Sequence, residues 1–446
     1  MIAHAGFGDV SGDELLPDTL GEMSDRDPGR ASAFGSTVRD YAVEAVSNRF
    51  VMWAAFVVVH LYLGLINLYS PTNPMGDVRF VYKNWIDQAL QAQYWVGIDV
   101  PWVYPIVAIV PMLVAELGGL GEYPSNWLSM VLIVDSVALA TLTGWGRRAR
   151  NVAAGWWWIV FLVVLGPISL GRIDSISVPL AIIGVVLLAA HPIAATVVIT
   201  LATWIKVWPA ALIAALVIAS RERRAVIASA IAVSLGIIAI SLAFGSGANV
   251  LSFITEQTGR GLQVEAPIST FWMWQAFAGV PGTSVYYDLD ILTFQVMGRN
   301  VDPTSAVMTP IMAVAVAVVV FLGIRAVRRG TDAAAALPAL TLGFISCLIV
   351  FNKVGSPQYI SWFAIPAILA ILGGPAVRRS FRVPSVLILV IAGMTQVIYP
   401  FFYNEVLSLN PGLLVILTLR NLLLVLLLGW TVGALWRMHP NRKPAL

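Results

Sequence analysis

The residues able to do chemistry in this chain gather at the ends of apolar runs. Gly76-Asp77 follows the first run, within Ser70-Pro71-Thr72-Asn73-Pro74-Met75-Gly76-Asp77. A glycine there lets the backbone turn tightly as the chain leaves a helix, and it sets a carboxylate just above a bilayer surface, where a general base could take a proton. The same spacing also suits an Asx-type turn that caps a helix over 79–92.

Cations follow the same pattern. Lys206, in Thr203-Trp204-Ile205-Lys206-Val207-Trp208-Pro209, lies where one apolar run ends and the next begins. A lysine so placed must either snorkel, flanked by belt tryptophans, or meet an anion, for which a lipid phosphate is suitable. Lys353 stands in a second such turn, Asn352-Lys353-Val354-Gly355-Ser356-Pro357-Gln358-Tyr359, rich in donors that suit phosphate or sugar hydroxyls. Arg172 and Asp174 form a charged knot in Gly171-Arg172-Ile173-Asp174, readable as a salt bridge that holds a turn or as a ligand contact. Gly259-Arg260-Gly261-Leu262-Gln263-Val264-Glu265 combines a guanidinium, an amide and a carboxylate with two glycines; it suits a phosphate or a sugar, and a solvated loop would look similar. Arg420, inside the last apolar run, needs a partner. Sixteen tryptophans mostly read as interfacial belts, although Trp95, Trp102, Trp272 and Trp274 are placed to stack on sugar rings.

The elements that must position these groups follow from composition. The chain has 446 residues, 59% hydrophobic and 11% charged, with a mean hydropathy of +0.83. A soluble domain carries roughly 25% charged residues, so a large soluble enzyme is excluded. Continuous apolar runs without period-two alternation exclude a membrane β-barrel and imply an all-α polytopic membrane protein. A single cysteine, Cys347, builds no disulfide framework, and four scattered histidines (His4, His60, His191 and His439) give no zinc or iron centre. There is no phosphate-cradling loop, HExxH or serine elbow. The net charge of +3 reflects arginines at helix ends and implies no nucleic acid.

About twelve spans are expected, near 50–69, 125–145, 152–170, 175–190, 192–207, 208–220, 225–244, 306–324, 333–351, 358–376, 384–402 and 411–436. Residues 1–49 read as a mostly disordered cytoplasmic tail with no cleavable leader, 50–436 as the membrane domain, and 437–446 as a second cytoplasmic tail. Arginine clusters at 147–150, 221–224, 325–329, 378–382 and 437–443 should face the cytoplasm. That parity requires the apolar segment 104–121 to be re-entrant or interfacial rather than a span. The two long outer segments are then 70–124 and 245–305, and acid chemistry belongs on the outer face.

At Gly76-Asp77, Tyr104-Pro105, Gly171-Arg172-Ile173-Asp174, Lys206–Pro209, Gly259–Glu265 and Ser356-Pro357-Gln358-Tyr359 before Trp362, over roughly 50–436, the sequence resembles glycosyltransferase family 87, of the C-type glycosyltransferase superfamily. The resemblance implies an inverting enzyme at the outer face of the plasma membrane. It would pass a sugar, mannose above all and otherwise arabinose or another pentose, from a polyprenyl phosphate to a glycolipid or lipoglycan acceptor of the phosphatidylinositol mannoside or lipomannan type. By that resemblance Asp77 is the general base, and Lys206, with Lys353 or Arg260, neutralises the leaving phosphate. Tyr104, Arg172, Asp174, Gln263, Glu265, Gln358 and Tyr359 would contact sugar or acceptor. Two departures bear on substrate choice: some family members have a double proline where this chain has Tyr104-Pro105-Ile106, and some have a histidine near the step where it has Gln358. No cofactor is implied, and since no tight DxD pair appears near Asp77, metal independence is expected; Asp288 and Asp290 belong to a segment that sequence does not place near Asp77. The competing reading is a transporter or flippase of a lipid-linked sugar, which would show inverted repeats and charged or broken helices at the midplane. A non-catalytic scaffold would leave Asp77 and the outer lysines without a purpose.

Overall fold

The computed structural model describes residues 48–118, 122–256 and 259–438. The tails expected at 1–49 and 437–446 therefore lie, apart from residues 48, 49, 437 and 438, outside the described residues. Among the described residues, seven helices are long and apolar enough to cross a membrane: Arg49–Tyr69, Tyr123–Thr143, Arg223–Ala243, Val301–Arg328, Ala333–Val350, Arg382–Phe401 and Pro411–Arg437. The other five apolar runs depart from the expected twelve full spans, forming the shorter helices Asn151–Leu165, Asp174–Leu187, Pro192–Ile205, Ala210–Ala219 and Pro357–Leu372. At about 1.5 Å per residue, a helix as short as Ala210–Ala219 covers about half of a hydrocarbon layer. The cause is local, because Gly166-Pro167, Lys206–Pro209 and Ser356-Pro357 break the regular backbone.

Those breaks meet at one pole. The Asn67 amide, at the end of the first helix, donates to the Pro167 carbonyl at 2.9 Å, and the Lys206 ammonium lies over the Tyr104 and Tyr359 rings. At the other pole Arg49 packs against Gly146, and Arg325 donates to the Trp436 carbonyl at 2.8 Å. The short helices are central: ten of the residues in Asp174–Leu187 are buried, whereas in Arg223–Ala243 only Val226 and Ser241 are. That long helix turns Ile231, Leu235 and Ile240 outward, an apolar face that needs lipid. Aromatic stacking knits the centre together, with Trp208 parallel to Trp362 at 5.6 Å and Trp362 on Tyr359 at 4.4 Å. One buried polar pair joins two spans, His60 Nε2 to Asp135 Oδ2 at 2.9 Å. His60 Nδ1 faces the Phe56 carbonyl at 2.9 Å, which only accepts, so Nδ1 carries a hydrogen.

The segment after the first span enters as a wide π-turn, Asp77–Tyr82, and continues as Lys83–Gln91. The helix Ile106–Leu117 starts beside Tyr82, whose ring lies 6.2 Å from that of Tyr104. It ends with Glu116 at 3.6 Å from Lys83, so both of its ends stay at the same pole.

The segment before Val301–Arg328 amends the all-α expectation. It forms an antiparallel hairpin, β1 (Ser284–Asp288) and β2 (Thr293–Met297), with Tyr287 opposite Phe294. Backbone bonds from Val296 to Leu262 (3.0 Å) and from Val264 to Phe294 (3.1 Å) seat β2 on residues 262–264, and the Gln263 amide donates to the Lys353 carbonyl at 3.0 Å. Two glycines permit this approach. A Cβ at Gly261 would stand 1.9 Å from Gln295 Oε1, and one at Gly355 would stand 2.1 Å from the Ala266 nitrogen. Because the second obstacle is backbone, Gly355→Ala is expected to destabilise the protein by about 1–3 kcal/mol, read as a lower midpoint of thermal unfolding in detergent; an unchanged midpoint would show that the loop moves freely.

Candidate active site

The broken helix ends enclose a cleft of about 630 Å³ at the pole where Asp77 lies. Its walls include Asp77, Tyr82, Trp85 and Tyr104 from the segment after the first span, Arg172 and Lys206 from the breaks, Arg260, Gln263 and Glu265 from the segment before Val301–Arg328, Gln358 and Tyr359 from the break before the tenth run, and Tyr399 and Tyr403 beyond Arg382–Gln396.

Arg172 organises one wall. It is 6% exposed, and its charge needs satisfied donors at that depth. Nε meets Asp77 Oδ2 at 3.1 Å; Nη1 donates to the Pro74 and Gly171 carbonyls at 2.7 and 2.9 Å; Nη2 donates to the Tyr399 hydroxyl at 2.8 Å. The partner of Arg172 is thus Asp77 and not Asp174, a correction to the turn-holding salt bridge that their spacing suggested. In a helical turn, residues two apart point to different sides. Asp174 lies buried behind the wall, its Oδ1 accepting from Trp362 Nε1 at 2.6 Å. Asp77 itself is accessible, its side chain 39% exposed to the cleft.

Two further cations line the cleft, Lys206 and Arg260. The Lys206 ammonium sits 4.3 Å from the Tyr104 ring centroid and 5.9 Å from that of Tyr359, a cation–π setting. Among the described residues no carboxylate lies within 4.0 Å of it. Burial alone would lower its pKa, but the oxygens of Tyr104, Asp174, Tyr359 and Asp77 outweigh burial and hold it above the ordinary lysine value. Lys206 therefore carries its charge at neutral pH. Arg260 is also without a carboxylate partner among the described residues, and its Nε is buried there with no hydrogen bond.

The remaining sequence candidates divide. Glu265 lines the cleft, but its carboxylate is bound 2.8 Å from Arg420 Nη1, both groups 3% exposed. Arg420 also donates to the Glu265 carbonyl and to Asn421 Oδ1, each at 2.8 Å, which gives the intramembrane arginine the partner it required. The amide oxygen of Gln358 is taken by the Ser356 hydroxyl. Lys353 is buried away from the cleft lining, and burial lowers its pKa. Among the described residues no three His, Cys, Asp or Glu side chains converge as ligands for a metal ion.

Several wall residues carried no separate signal in sequence reading. Tyr399 is one, although its Tyr399-Pro400 step matches Tyr104-Pro105 in composition and both end in cleft-lining phenols. Tyr82 is another: its hydroxyl accepts from the Ile173 amide at 3.3 Å, and burial, with Tyr104 and Asp77 beside it, raises its pKa and keeps the phenol protonated. Asp290, set aside in the sequence, enters the same cleft on the hairpin tip.

The arrangement offers an accessible carboxylate held by a guanidinium in the same aromatic-walled cleft as two cations that have no carboxylate partner among the described residues. Such a site can take a proton from a nucleophile while stabilising an anionic leaving group. No curated protein matches the chain. The model of glycosyltransferase family 87 matches residues 102–351, a stretch that includes Tyr104, Arg172, Lys206, Arg260 and Gln263, and leaves Asp77, Tyr359 and Tyr399 beyond its ends. With more than half of its length matched and, among the described residues, seven helices long and apolar enough to cross a membrane, the chain belongs to glycosyltransferase family 87 and is a membrane glycosyltransferase.

Proposed function

We propose that the protein transfers a mannosyl residue from a polyprenyl phosphate to a glycolipid or lipoglycan acceptor of the phosphatidylinositol mannoside type, with inversion, at the outer face of the plasma membrane. In this reading the five shorter helices, completed by the turns at their ends, pass through the bilayer beside the seven long ones, in a C-type architecture of about twelve segments, and the arginine-rich pole is cytoplasmic. The observation that carries it is that one cleft is lined by Asp77, Lys206 and Arg260 together.

The chemistry asks little covalent work of the protein. The acceptor hydroxyl attacks the anomeric carbon, and Asp77 takes its proton through Oδ1, since Arg172 holds Oδ2. The bond between the anomeric carbon and the phosphate oxygen breaks, and the electron pair leaves with the lipid phosphate. Lys206 and Arg260 neutralise the departing charge in a partly dehydrated cleft, where fixed charges act more strongly than in water. No divalent metal enters this scheme. Tyr104 and Tyr359 shape the Lys206 pocket. Lys353, away from the cleft lining, is given no contact with substrate.

Three outcomes test the reading in a transfer assay with purified protein in lipid, polyprenyl-phosphate-mannose as donor and a phosphatidylinositol mannoside as acceptor. Asp77→Asn is expected to lower kcat by about 10²–10⁴-fold in protein that still unfolds cooperatively, at a lower thermal midpoint because Arg172 loses its counter-charge; equal turnover would remove Asp77 as the base. Lys206→Ala is expected to raise the donor KM and lower kcat together, with a loss of about 10²–10³-fold in kcat/KM; an effect confined to the acceptor KM would contradict its phosphate role. For the wall behind Asp77, Arg172→Lys keeps the charge but not the fork. It should lower kcat by up to about 10²-fold through misplacement of the base, with donor KM unchanged, and Tyr399→Phe should give a smaller loss of the same kind; a rise in donor KM instead would make Arg172 a substrate contact.

A further inference from the structure

The hairpin tip is the part of the cleft that the proposed transfer leaves without a role. Tyr287 and the run Asp290, Ile291, Leu292, Thr293 and Phe294 line the same cleft as Asp77. The tip is held in place. Asp288 Oδ1 accepts from the Asp290 and Ile291 amides at 3.0 and 3.3 Å, and its Oδ2 accepts from Gln295 Nε2 at 2.6 Å. Through β2 the tip is fixed to residues 262–264, and so to the Arg260 loop.

We propose that this tip is a saccharide subsite, in which Tyr287, Asp290 and Thr293 bind the acceptor's glycan next to the attacked hydroxyl. The inference rests on the transfer reading above and adds the side from which the acceptor enters. Three observations support it. First, the Asp290 carboxylate has no cation within 4.0 Å among the described residues. An unpaired carboxylate repels a phosphate and accepts hydrogen bonds from sugar hydroxyls. The cleft is thereby polarised: Lys206 and Arg260 suit the charged donor, and the hairpin suits a neutral polyol. Second, Tyr287 leans on Phe294 at 4.8 Å between centroids while remaining 43% exposed, which leaves a braced aromatic surface for the apolar face of a pyranose. Third, the hairpin lies in the segment between Arg223–Ala243 and Val301–Arg328, beyond the ends of both spans. A ligand part resting there is outside the hydrocarbon layer, so it is the glycan and not the lipid chain.

The test compares wild type with Asp290→Ala and Tyr287→Ala in the same lipid-embedded assay, using phosphatidylinositol mannosides with one mannose and with four or more, and with thermal midpoints as a folding check. Leu289→Ala, outside the cleft lining, serves as the control. Each cleft variant is expected to raise KM for the longer-headed acceptor by roughly tenfold, to change KM for the short one less, and to leave donor KM as in wild type. An unchanged acceptor KM, or an equal rise for donor and acceptor, overturns the saccharide subsite. Absence of transfer by wild type with either acceptor overturns the mannosyl reading on which it rests, whereas wild-type transfer with unaltered variants overturns the subsite alone.

Discussion

A buried guanidinium must have its donors satisfied, and at the cleft this requirement falls on Arg172. Its contacts reach the Pro74 carbonyl before the Gly76-Asp77 turn, the carboxylate of Asp77, its own Gly171 carbonyl and the hydroxyl of Tyr399. Three stretches far apart in sequence are thereby tied at one point. Asp77 is placed by that tie more than by its own helix, since its π-turn offers no side-chain cap. Leaving a charge of this kind unpaired in a low-dielectric surrounding costs several kcal/mol, so removal of any partner should be felt at the carboxylate.

The second constraint is that backbone polar groups cannot face lipid unpaired. Irregular backbone at membrane depth is tolerated where it lines a cavity or is packed in protein. Here the breaks at Gly166-Pro167, Lys206–Pro209 and Ser356-Pro357 satisfy that rule by converging: Pro167 accepts from Asn67, Trp208 donates to Ser177, and the 357–363 turn is buried throughout. Of the long helices, Arg223–Ala243 and Val301–Arg328 are the most outward-facing, while Ala333–Val350 packs inside. The shorter central helices and the cleft are thus two aspects of one arrangement, because the space above the broken ends is the cleft.

Charge then divides that space. Arg420 neutralises Glu265 and Arg172 holds Asp77, while Lys206 and Arg260 keep their charge without a carboxylate partner among the described residues. The same family of side chains therefore serves as fixed framework in some positions and as ligand-facing groups in others, and the difference lies in whether a counter-charge reaches within about 3 Å. The hairpin adds to the cleft the carboxylate of Asp290, which has no cation within 4.0 Å among the described residues.

Local sequence determined much of this. Composition alone requires a helical membrane protein, since so few charged residues cannot cover a surface in water. Apolar runs marked where helices form, and glycine or proline steps marked where they end. The position of Gly76-Asp77, Lys206 and Arg260 at those ends identified the groups that face the cleft. What tertiary structure alone decided is which charges pair. Arg172 meets Asp77 and not its neighbour Asp174, Arg420 reaches back 155 residues to Glu265, Lys353 turns away from the cleft, and Tyr399 and Asp290 join it. Length was also decided there: five apolar runs long enough to suggest spans fold as shorter helices because their ends are given over to turns around the cleft. The physical reason is range. Hydropathy and backbone propensity act over a few residues and are written in the sequence, whereas an ion pair depends on a separation of about 3 Å between residues that only the packing of the helices brings together.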